Sequence, residues 1–488
     1  MNIELVVSPA SELSSNLLII GVFEGQENLS APISQEVSDF LFKKENFKAK
    51  FGQFYKFASP KCCNTDKILF AGLGKKEELS LNKLRELSAK TVRQVLSMSN
   101  IENVVFSIAN IKETDFSKFD VAQVLTEGFL IGEYNFDKYK TKKEDEEEIK
   151  NLIISDFCDN CIEQAKQGCE RGKIVASSIN FARDLINEQP NIVTPERIAN
   201  EAKSISGVDV KVFEKEEIQN MGMGAFLAVS QGGGHSPKFI HIKYTPQNPK
   251  KKVAIIGKSI TFDSGGLDLK PPASMLTMKD DMSGSAAVLG VMRAIVQLRP
   301  EVEVHGIIAS TENMVGSKAY KPGDILTAKN GKTIEVDNTD AEGRLTLADA
   351  LCYADELGVD AVIDIATLTG ACMVALGSYA SGIMGNDDEL VKTLINSGKT
   401  VGENLWEMPM FEDYMESLKS DIADMKNTGS RYGGASTAGV FLKNFVKNTK
   451  WAHIDIAGTA FLDKPQHECS KGASGVGVRT LINYILNC

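Results

Sequence analysis

Short apolar runs alternate with helical patterns in the first third of the chain. The runs at residues 17–22, 67–73 and 103–108 have the length and composition of buried strands. Between the second and third runs, apolar residues over 84–95 recur at a helical spacing. Strands joined by a crossover helix indicate an α/β unit, and no catalytic constellation is visible in it. The pattern therefore predicts a smaller N-terminal α/β domain at residues 1–156.

A long helical pattern follows this domain. Small and apolar residues recur near every 3.6 positions from about residue 156 to residue 187. Pro190 and Pro195 end the pattern, and Thr194 offers a cap for a further helix predicted at 196–205. We expect residues 157–187 to form one helix that connects two domains.

The rest of the chain, residues 188–488, repeats strand and helix patterns. Helices are predicted at 285–298 and 345–354. The fold class expected here is a larger C-terminal catalytic α/β domain, with a mostly parallel mixed sheet flanked by helices. Functional side chains in such sheets gather at the strand ends. The predicted strands are 208–213, 239–244, 253–257, 304–309, 333–336, 361–366 and 452–456.

Length and charge narrow the classes of function. A chain of 488 residues is too long for one core, which supports two domains. The formal net charge of -11 disfavours nucleic acid as the main partner. No secretory signal is visible, and no run approaches the roughly 18 apolar residues of a membrane span, so we expect a cytoplasmic protein without a membrane partner. The charged stretch 138–150 is predicted to be a solvated loop near an edge strand.

The nine cysteines suggest reduced thiols rather than a disulfide framework, because their number is odd and they are scattered over a long chain. Cys158 and Cys161, with Cys169 nearby, could form half of a zinc site or a redox pair. We disfavour both interpretations, because no second Cys/His pair follows and the surrounding residues are predicted to be helical. The adjacent Cys62 and Cys63 are most simply unpaired.

Candidate chemistry concentrates in one short run, where Asp340 and Glu342 stand two residues apart and Arg344 two further on. With 5 histidines, none at His-x-x-x-His spacing, a metal centre here must use mainly oxygen ligands. Asp263 and Asp281 supply two more carboxylates upstream. Taken alone, each acid is more simply a cap or a surface group. Together, four carboxylates are enough to bind two divalent ions about 3.5–4 Å apart.

Cations stand beside these acids. The segment around Lys258 mimics the end of a phosphate-binding loop, but Lys252 occupies the position where that motif requires glycine. Lys258 is then either an ordinary strand-end lysine or a metal ligand, and ligation requires the neutral amine. Lys270 and Arg344 either balance the acidic charge or stabilise an oxyanion beside a metal-activated water. The pattern favours a hydrolase of the peptidase or phosphatase type.

These residues resemble the leucyl aminopeptidases, the cytosol aminopeptidase family of dimetal exopeptidases. The run 338–345 matches the family signature and is highly specific. The first half of the chain is similar to the family's variable N-terminal domain only in length and α/β character. In the second half the resemblance is nearly complete and includes the segments 257–258, 270–271, 281–282, 312–314, 320–324, 366–371 and 451–459.

The resemblance implies a ligand set for two divalent ions, Mn²⁺ or Zn²⁺. Lys258, Asp263, Asp281 and Glu342 would hold one ion. Asp263, Asp340 and Glu342 would hold the other, so that Asp263 and Glu342 bridge the two. The directly preceding residue, Asp280, competes with Asp281; we prefer Asp281 because it aligns with the family, and we expect Asp280 to be exposed.

The resemblance also implies the remaining roles. Lys270 would polarise the scissile carbonyl, and Arg344 would anchor a bicarbonate ion that acts as general base. Met278, Thr367 and Gly370 would line the pocket for the first side chain, which favours leucine and other apolar residues. Substrates would be peptides with a free N-terminal amine, since a neutral amine can ligate a metal and so align the first peptide bond.

The family further implies a homohexamer. Two other functions compete with an active aminopeptidase. A dimetal phosphatase or nuclease would need a basic phosphate groove, which the composition does not support. A non-enzymatic relative that acts by binding is disfavoured, because every expected ligand and both catalytic cations are present.

Overall fold

The computed structural model describes residues 1–26, 29, 33, 35–58, 63–141 and 148–488, without the side chains of Gln35 and Glu113. It divides into two compact units. The amino-terminal unit contains Met1–Ser177 and Pro465–Ser470, and the carboxy-terminal unit contains Ser178–Lys464 and Lys471–Cys488. Both units are α/β, so the predicted fold class is confirmed. The charged stretch 138–150 and the pair Cys62 and Cys63 fall partly outside the described residues.

The amino-terminal unit is built on a six-stranded sheet of order β1-β6-β5-β2-β4-β3, in which only β3 runs antiparallel to its neighbour. On the central strand, Leu17 and Ile19 join the core on one face, while Leu18 and Ile20 join the core on the other. This alternation explains why an almost continuous apolar run forms a strand covered on both sides. The strands are β1 (Asn2–Leu5), β2 (Ser15–Phe23), β3 (Phe54–Ala58), β4 (Thr65–Gly74), β5 (Asn103–Ser107) and β6 (Asn151–Ser155).

The helices of this unit are α1 (Gln35–Asp39), α2 (Leu81–Leu96), α3 (Lys118–Gly132) and the first part of α4 (Ile162–Asn187), with short 3-10 or π turns at Ala10–Glu12, Phe40–Lys44, Lys76–Glu78 and Ile111–Glu113. Helix α4 begins later than the sequence predicted, because residues 156–161 form a turn that contains Cys158 and Cys161. The two units divide within α4, and the predicted domain boundaries at 156 and 188 stay predictions.

The carboxy-terminal unit contains an eight-stranded sheet of order β15-β14-β17-β13-β9-β10-β8-β7. The four central strands β17, β13, β9 and β10 are parallel, and β14, β8 and β7 add antiparallel pairings. Its strands are β7 (Asp209–Phe213), β8 (Lys238–Tyr244), β9 (Lys251–Asp263), β10 (Val302–Asn313), β13 (Ala361–Ala366), β14 (Ser381–Gly385), β15 (Leu405–Glu407) and β17 (Lys450–Asp455).

Two of these strands are much longer than predicted, and one predicted strand lies elsewhere. Strands β9 and β10 continue past their apolar runs through polar residues that reach Asp263 and Asn313. The strand predicted at 333–336 belongs to a separate three-stranded sheet. That sheet contains β11 (Ile325–Thr327), β12 (Thr333–Glu335) and β16 (Met425–Lys426), and a two-stranded sheet pairs β18 (Phe461–Leu462) with β19 (Gly472–Ala473).

Helices flank the large sheet. Helix α9 lies close against β9, since a Cβ atom on Gly257 would stand 2.5 Å from the Gly284 carbonyl oxygen. Among the residues that the structure describes, no helix is both long and apolar enough to cross a membrane. The helices are α5 (Pro195–Lys203), α6 (Lys215–Asn220), α7 (Gly224–Ser230), α8 (Pro272–Met275), α9 (Ser283–Leu298), α10 (Gly343–Asp355), α11 (Gly370–Leu376), α12 (Asp388–Val401), α13 (Gly434–Lys443) and α14 (Val478–Leu486), with 3-10 turns at Met278–Asp280 and Glu412–Leu418.

Candidate active site

Polar side chains meet where the central parallel strands of the carboxy-terminal unit end. Asp263 is the last residue of β9, and it pairs in register with Asn313, the last residue of β10. Thr367 follows the end of the neighbouring strand β13. The carboxyl ends of adjacent parallel strands lie at one edge of a sheet, which is where such folds build their sites. The structure therefore brings segments distant in sequence to one place.

Three carboxylates converge at this edge. One oxygen atom from each of Asp263, Asp340 and Glu342 lies within 4.8 Å of the others. Glu342 directly precedes helix α10, and Asp340 stands in the tight loop before it, as predicted. Asp263 and Glu342 are buried, and Asp340 is half-buried. Three acids this close together and this poorly hydrated require cations nearby.

Two lysines supply part of that positive charge. The Lys258 Nζ atom lies 2.8 Å from Asp281 Oδ1 and 2.9 Å from Glu342 Oε1. The Lys270 Nζ atom lies 2.8 Å from Asp263 Oδ2 and 2.6 Å from Asp340 Oδ1. The fourth carboxylate, Asp281, thus joins the cluster through Lys258. All five predicted metal ligands and Lys270 are linked by direct contacts, and four carboxylates share two ammonium groups.

The pKa values of the four carboxylates reflect their excess over the two lysines. Burial, together with the charge of Glu342, raises the pKa of Asp263 to about 7. Burial likewise raises the pKa of Asp281 well above its ordinary value and raises that of Asp340. For Glu342 burial acts in the same direction, but Lys258 and Lys270 outweigh it and lower the pKa. A bound cation would oppose the upward shifts in the pKa values of Asp263, Asp281 and Asp340.

The protonation of Lys258 bears on its predicted role as a ligand. Burial alone lowers the pKa of this lysine, but the charges of Asp281, Glu342 and Asp263 outweigh burial and raise it. The neighbouring acids therefore hold the ammonium form. A metal at this site would have to displace the proton from Lys258, so ligation and proton release are coupled.

Two glycines make room for this cluster. A Cβ atom on Gly343 would lie 2.7 Å from the Lys258 Nζ atom, so a side chain here would displace Lys258 from its present position. Gly265 has φ +87°, and a Cβ atom there would lie 3.0 Å from Asp340 Oδ1. Only glycine adopts that conformation without strain. The tight loops that carry the acids thus depend on glycine for close approach.

Asparagines that the sequence did not single out position the acids and Arg344. The Asn313 Nδ2 atom donates to Asp263 Oδ1 at 2.8 Å and to the Thr339 carbonyl at 3.0 Å. The Asn427 Nδ2 atom donates to the Asn338 carbonyl at 2.6 Å, and the Asn427 carbonyl accepts a hydrogen bond from Arg344 Nη1 at 2.8 Å. The only sequence signal for Asn313 was its place in a family segment, and Asn427 had none.

Asp455 is a further residue that the sequence did not identify. It is buried at the end of β17 and organises the loop before α11. Its Oδ2 atom accepts a hydrogen bond from Thr369 Oγ1 at 2.7 Å, and its Oδ1 atom accepts from the Leu368 amide at 3.2 Å. The preceding residue in this loop, Thr367, accepts from Lys258 Nζ through its carbonyl and donates to Asp281 Oδ1, both at 2.8 Å.

The expectation that Asp280 is exposed was wrong. Its exposed fraction is 8%, and burial raises the pKa of its carboxyl to about 7. The 3-10 turn Met278–Asp280 folds this side chain inward. Asp281, however, is the residue that contacts Lys258. The geometry thus groups Asp281 with the other predicted ligands, whatever the burial of its neighbour.

The three predicted pocket residues lie on segments next to the cluster. Met278 and Thr367 are half-buried, and Gly370 is exposed at the start of α11. No atom lies within 4 Å of the position that a Cβ atom would take on Gly370. Thr367 contacts Asp281 directly, and Met278 precedes Asp281 by three residues. The role of Met278, Thr367 and Gly370 as pocket residues stays a prediction.

The residues present fit a divalent metal centre. The Asp281 Oδ2 atom is buried, and no residue in the described ranges gives it a hydrogen bond. Buried carboxylate oxygens without partners are costly unless a cation binds them. Two-metal sites for Mn²⁺ or Zn²⁺ use oxygen ligands of this kind. Here the carboxylates outnumber the lysines that could neutralise them. Lys258, Asp263, Asp281, Asp340 and Glu342 are the residues that would hold such ions.

Comparison with known proteins places this geometry in a family. The model of the cytosol aminopeptidase family, catalytic domain, matches residues 180–482, and that of the family's N-terminal domain matches residues 19–143. A probable cytosol aminopeptidase of Aquifex aeolicus (strain VF5) is 45% identical over 475 residues, which cover 95% of this chain and 94% of that protein. A probable cytosol aminopeptidase of Persephonella marina (strain DSM 14350 / EX-H1) is 49% identical over 430 residues, which cover 86% of this chain and 85% of that protein.

Solved structures agree with this assignment. The bottromycin maturation enzyme BotP in complex with Mn superposes with a TM-score of 0.87 at 29% sequence identity, and the match covers 97% of this chain and 99% of that one. Both family models, the relatives over most of their length and the acidic site support the same family. The chain therefore belongs to the cytosol aminopeptidase family of metal-dependent aminopeptidases.

Proposed function

We propose that this protein removes the N-terminal residue from peptides with a free N-terminal amine, with a preference for leucine and other apolar residues. The observation that carries this proposal is the convergence of Asp263, Asp340 and Glu342, whose ligand oxygens lie within 4.8 Å of one another. Lys258 and Lys270 stand against these oxygens. Such a cluster suits hydrolysis of a bond that needs both a strong nucleophile and a stabilised oxyanion.

Two divalent ions, Mn²⁺ or Zn²⁺, are the proposed cofactors. Asp263 and Glu342 would bridge them, with Lys258 and Asp281 completing one site and Asp340 the other. When bound, such ions supply Lewis-acid activation of the peptide carbonyl and of the attacking water. The Mn complex of the similar BotP structure supports manganese. Lys258 must give up its proton to become a ligand, so loading of the metal should release protons.

Lys270 is the proposed electrostatic catalyst. Its side chain is mostly buried, and the charges of Asp263 and other acids outweigh burial and raise its pKa, so it stays an ammonium ion. An ammonium group in such a place can donate a hydrogen bond to the scissile carbonyl oxygen as negative charge develops there. Donors of this kind contribute about 10²–10³-fold to the rate.

Arg344 is the proposed holder of a bicarbonate general base. Its guanidinium is buried, and burial lowers its pKa to about 10, so it remains charged at neutral pH. One nitrogen, Nη1, is fixed by the Asn427 carbonyl, whereas Nε finds no hydrogen-bond partner among the described residues. A buried cationic donor without a partner supports the binding of a small anion. A held bicarbonate could take the proton of the attacking water.

The proposed leucine preference rests on the pocket residues Met278, Thr367 and Gly370. The open space at Gly370 accommodates a branched apolar side chain, and Met278 offers a flexible apolar wall. One methylene group more or less in such a pocket changes selectivity by only about 1–3 kcal/mol. We therefore expect several apolar first residues to be accepted.

We further propose a cytoplasmic homohexamer. The relatives' name, cytosol aminopeptidase, supports the location. Large apolar side chains of the carboxy-terminal unit, such as Leu276 (83% exposed), Val374 (88%) and Tyr432 (83%), support the burial of surface between copies. Light scattering coupled to size-exclusion chromatography measures the assembly directly, and a monomer would contradict the hexamer without affecting the proposed reaction.

A panel of chromogenic substrates tests the proposed reaction. The protein is loaded with Mn²⁺ or Zn²⁺ and given leucine p-nitroanilide, the same compound with an acetylated amine, and p-nitrophenyl phosphate. We expect hydrolysis of the first compound alone, because acetylation removes the amine that aligns the first peptide bond. A dipeptide panel then ranks first residues, and metal analysis of the same samples identifies the ions.

Each alternative has its own outcome in this panel. Hydrolysis of the acetylated compound alone would indicate that no free amine is needed. Release from p-nitrophenyl phosphate alone would indicate a phosphatase. Metal binding without any turnover would indicate a relative that acts by binding. Each of these results would contradict the proposed aminopeptidase activity.

A further inference from the structure

Cys158 and Cys161 occupy a defined place in the fold. Strand β6 ends at Ser155, the turn with the two cysteines follows, and helix α4 begins at Ile162. The structure joins the two cysteines in a disulfide, with a Cα–Cα distance of 5.3 Å, so the expectation of reduced thiols does not hold for this pair. A Cys-x-x-Cys pair between a strand and the start of a helix is the arrangement that thiol–disulfide chemistry uses in α/β folds. The aminopeptidase site makes no use of it.

Cys158 is more exposed to solvent than any free cysteine that the structure describes. Cys158 is exposed and Cys161 is half-buried. Burial raises the pKa of the Cys169, Cys352 and Cys372 thiols, which disfavours their reactive thiolate form. Reactive cysteines are those that a small reagent can reach as thiolate or disulfide. Among these cysteines, that description fits Cys158 and Cys161.

The two sulfur atoms of the pair are not equivalent. The Cys161 carbonyl accepts the hydrogen bond of the Ala165 amide at 3.0 Å, which places Cys161 at the amino-terminal end of the 26-residue helix α4. The Cys158 amide donates to Cys161 Sγ at 3.1 Å. An amide donor and the positive end of a long helix both favour a thiolate on Cys161. Cys158 is the sulfur that an incoming reagent meets first.

We propose that the Cys158–Cys161 disulfide is a site of reversible exchange with low-molecular-weight thiols, in which Cys158 is attacked and Cys161 is the leaving and resolving sulfur. This inference is independent of the proposed peptidase activity. Cys158 is the attacked sulfur because it is the more accessible of the two. Cys161 is the leaving sulfur because its thiolate is stabilised, and a more stable thiolate leaves faster.

The exchange balances in two steps. A thiolate RS⁻ attacks Cys158 Sγ, a new S–S bond forms, the bond to Cys161 breaks, and the electron pair leaves on Cys161 Sγ. A second RS⁻ attacks the reagent's sulfur in the mixed disulfide, which yields RSSR and the Cys158 thiolate. Both protein thiolates then take protons from water. In sum, the protein disulfide and two RSH give two cysteine thiols and RSSR, and an excess of RSSR reverses the reaction.

The test uses the full chain in glutathione buffers of varied ratio. Reaction is stopped with acid, free thiols are alkylated with a maleimide, and peptide mass spectrometry assigns each cysteine. We expect excess glutathione to reduce the pair while circular dichroism shows a folded protein, and excess glutathione disulfide to restore it. Retention of the disulfide until urea unfolds the chain would overturn the proposal, as would thiols that stay reduced in glutathione disulfide.

Single variants test the assignment of the two sulfurs. Cys161→Ser lacks the resolving thiol, so glutathione disulfide should leave one glutathione on Cys158. Limiting glutathione added to the wild-type disulfide, stopped with acid and alkylated, should leave glutathione on Cys158 and the maleimide on Cys161. Cys169→Ser removes a buried thiol and is the matched control, with exchange at the wild-type rate. Glutathione found on Cys161 instead of Cys158 would overturn the assigned order of attack.

Discussion

The two units of this protein both bury opposite charges, but they balance them differently. In the amino-terminal unit, Arg85 Nε lies 2.7 Å from Glu127 Oε2, and the other Glu127 oxygen accepts from Gln123 Nε2 at 2.6 Å. Arg85 also donates to Asn82 Oδ1 at 2.8 Å. One cation thus meets one anion, and both carboxylate oxygens have partners. In the carboxy-terminal unit, four carboxylates meet two lysines, and the buried Asp281 Oδ2 atom lacks a hydrogen bond within the described ranges.

The difference separates a structural ion pair from the proposed metal site. A buried pair that only supports a fold is tolerated when its charges are equal and its atoms are satisfied. An excess of buried acid destabilises the fold unless another cation joins it. Perturbed protonation beside a cleft is accordingly a mark of a functional site. The degree of charge balance therefore distinguishes the two clusters better than burial does.

The largest expected effect follows from removing the bridging acid. Asp263→Asn should lower turnover of leucine p-nitroanilide by about 10³-fold or more, because one side chain contributes to both proposed metal positions. Metal content after dialysis against Mn²⁺, measured by mass spectrometry, should fall as well. In the presence of a chelator the variant should be at least as stable as the wild type, because it relieves repulsion among the acids.

A control variant and one contrary result define this first experiment. Asp388→Asn changes an exposed carboxylate in the first turn of α12 and should leave both activity and metal content unchanged. If Asp263→Asn retains two ions and full activity, the bridging role is wrong, and the excess of acid at the site would need another explanation.

The second largest effect is expected for the buried Arg85–Glu127 pair. Glu127→Gln should destabilise the protein by about 3–5 kcal/mol, because it leaves the buried Arg85 guanidinium without an anion. An amide also cannot accept hydrogen bonds on both sides from Arg85 and Gln123. Urea unfolding followed by circular dichroism measures the change. Glu163→Gln removes an exposed partner of Lys166 and should cost at most about 1 kcal/mol. Equal costs would show that the Arg85–Glu127 pair does not behave as a buried pair.

The sequence predicted the members of the acidic cluster better than the residues that hold them in place. Asp340 and Glu342 were identifiable as candidates because they stand two residues apart in the chain, with Arg344 two further on; their roles stay predictions. Asn427 was not, because its partners, the Asn338 carbonyl and Arg344 Nη1, lie more than 80 residues away in the chain and involve backbone atoms. Asp455 escaped prediction for the same reason, since its contacts cross to the loop after the neighbouring strand.

Helix α3 and the end of strand β9 were not predicted, because their hydrophobic pattern does not match the burial they have in the fold. Helix α3 (Lys118–Gly132) was not predicted, because it is buried on most sides and carries no single apolar stripe. Strand β9 was predicted only as far as residue 257, because polar residues of the site interrupt its apolar run, yet it continues to Asp263. Both errors arise where tertiary packing, rather than local periodicity, determines the structure.

The third prediction tests the role of the buried arginine. Arg344→Ala should retain bound metal but lower kcat by about 10²-fold, because the guanidinium is proposed to position a general base and is not a ligand. Added bicarbonate should not restore the rate, because its binding site is lost. Arg344→Lys keeps the charge and should lose less activity. Loss of metal from Arg344→Ala would refute the role, since it would make the arginine part of the metal site.

The smallest effect concerns a largely buried network in which two neutral histidines lie between a tyrosine and one carboxylate. His241 Nε2 lies 2.8 Å from His305 Nδ1, and His305 Nε2 lies 3.0 Å from Glu303 Oε1. His241 Nδ1 lies 2.9 Å from the Tyr353 hydroxyl. Because the carboxylate accepts, neutral rings donate in one direction, from Tyr353 through both histidines to Glu303. The network is complete only while both rings are neutral.

Acid should therefore weaken this network. Burial, with the charges of His305, Lys243 and Lys211, lowers the pKa of His241 from 6.5 to about 4. The unfolded chain takes up this proton below about pH 6.5, and the folded protein only near pH 4, so stability is full above pH 6.5 and falls between these values. We expect a loss of about 1–2 kcal/mol, which His241→Gln should abolish and the exposed-site control His235→Gln should not. Urea unfolding midpoints at pH 7.5 and pH 5 measure the difference, and the same loss in His241→Gln would assign it to other groups.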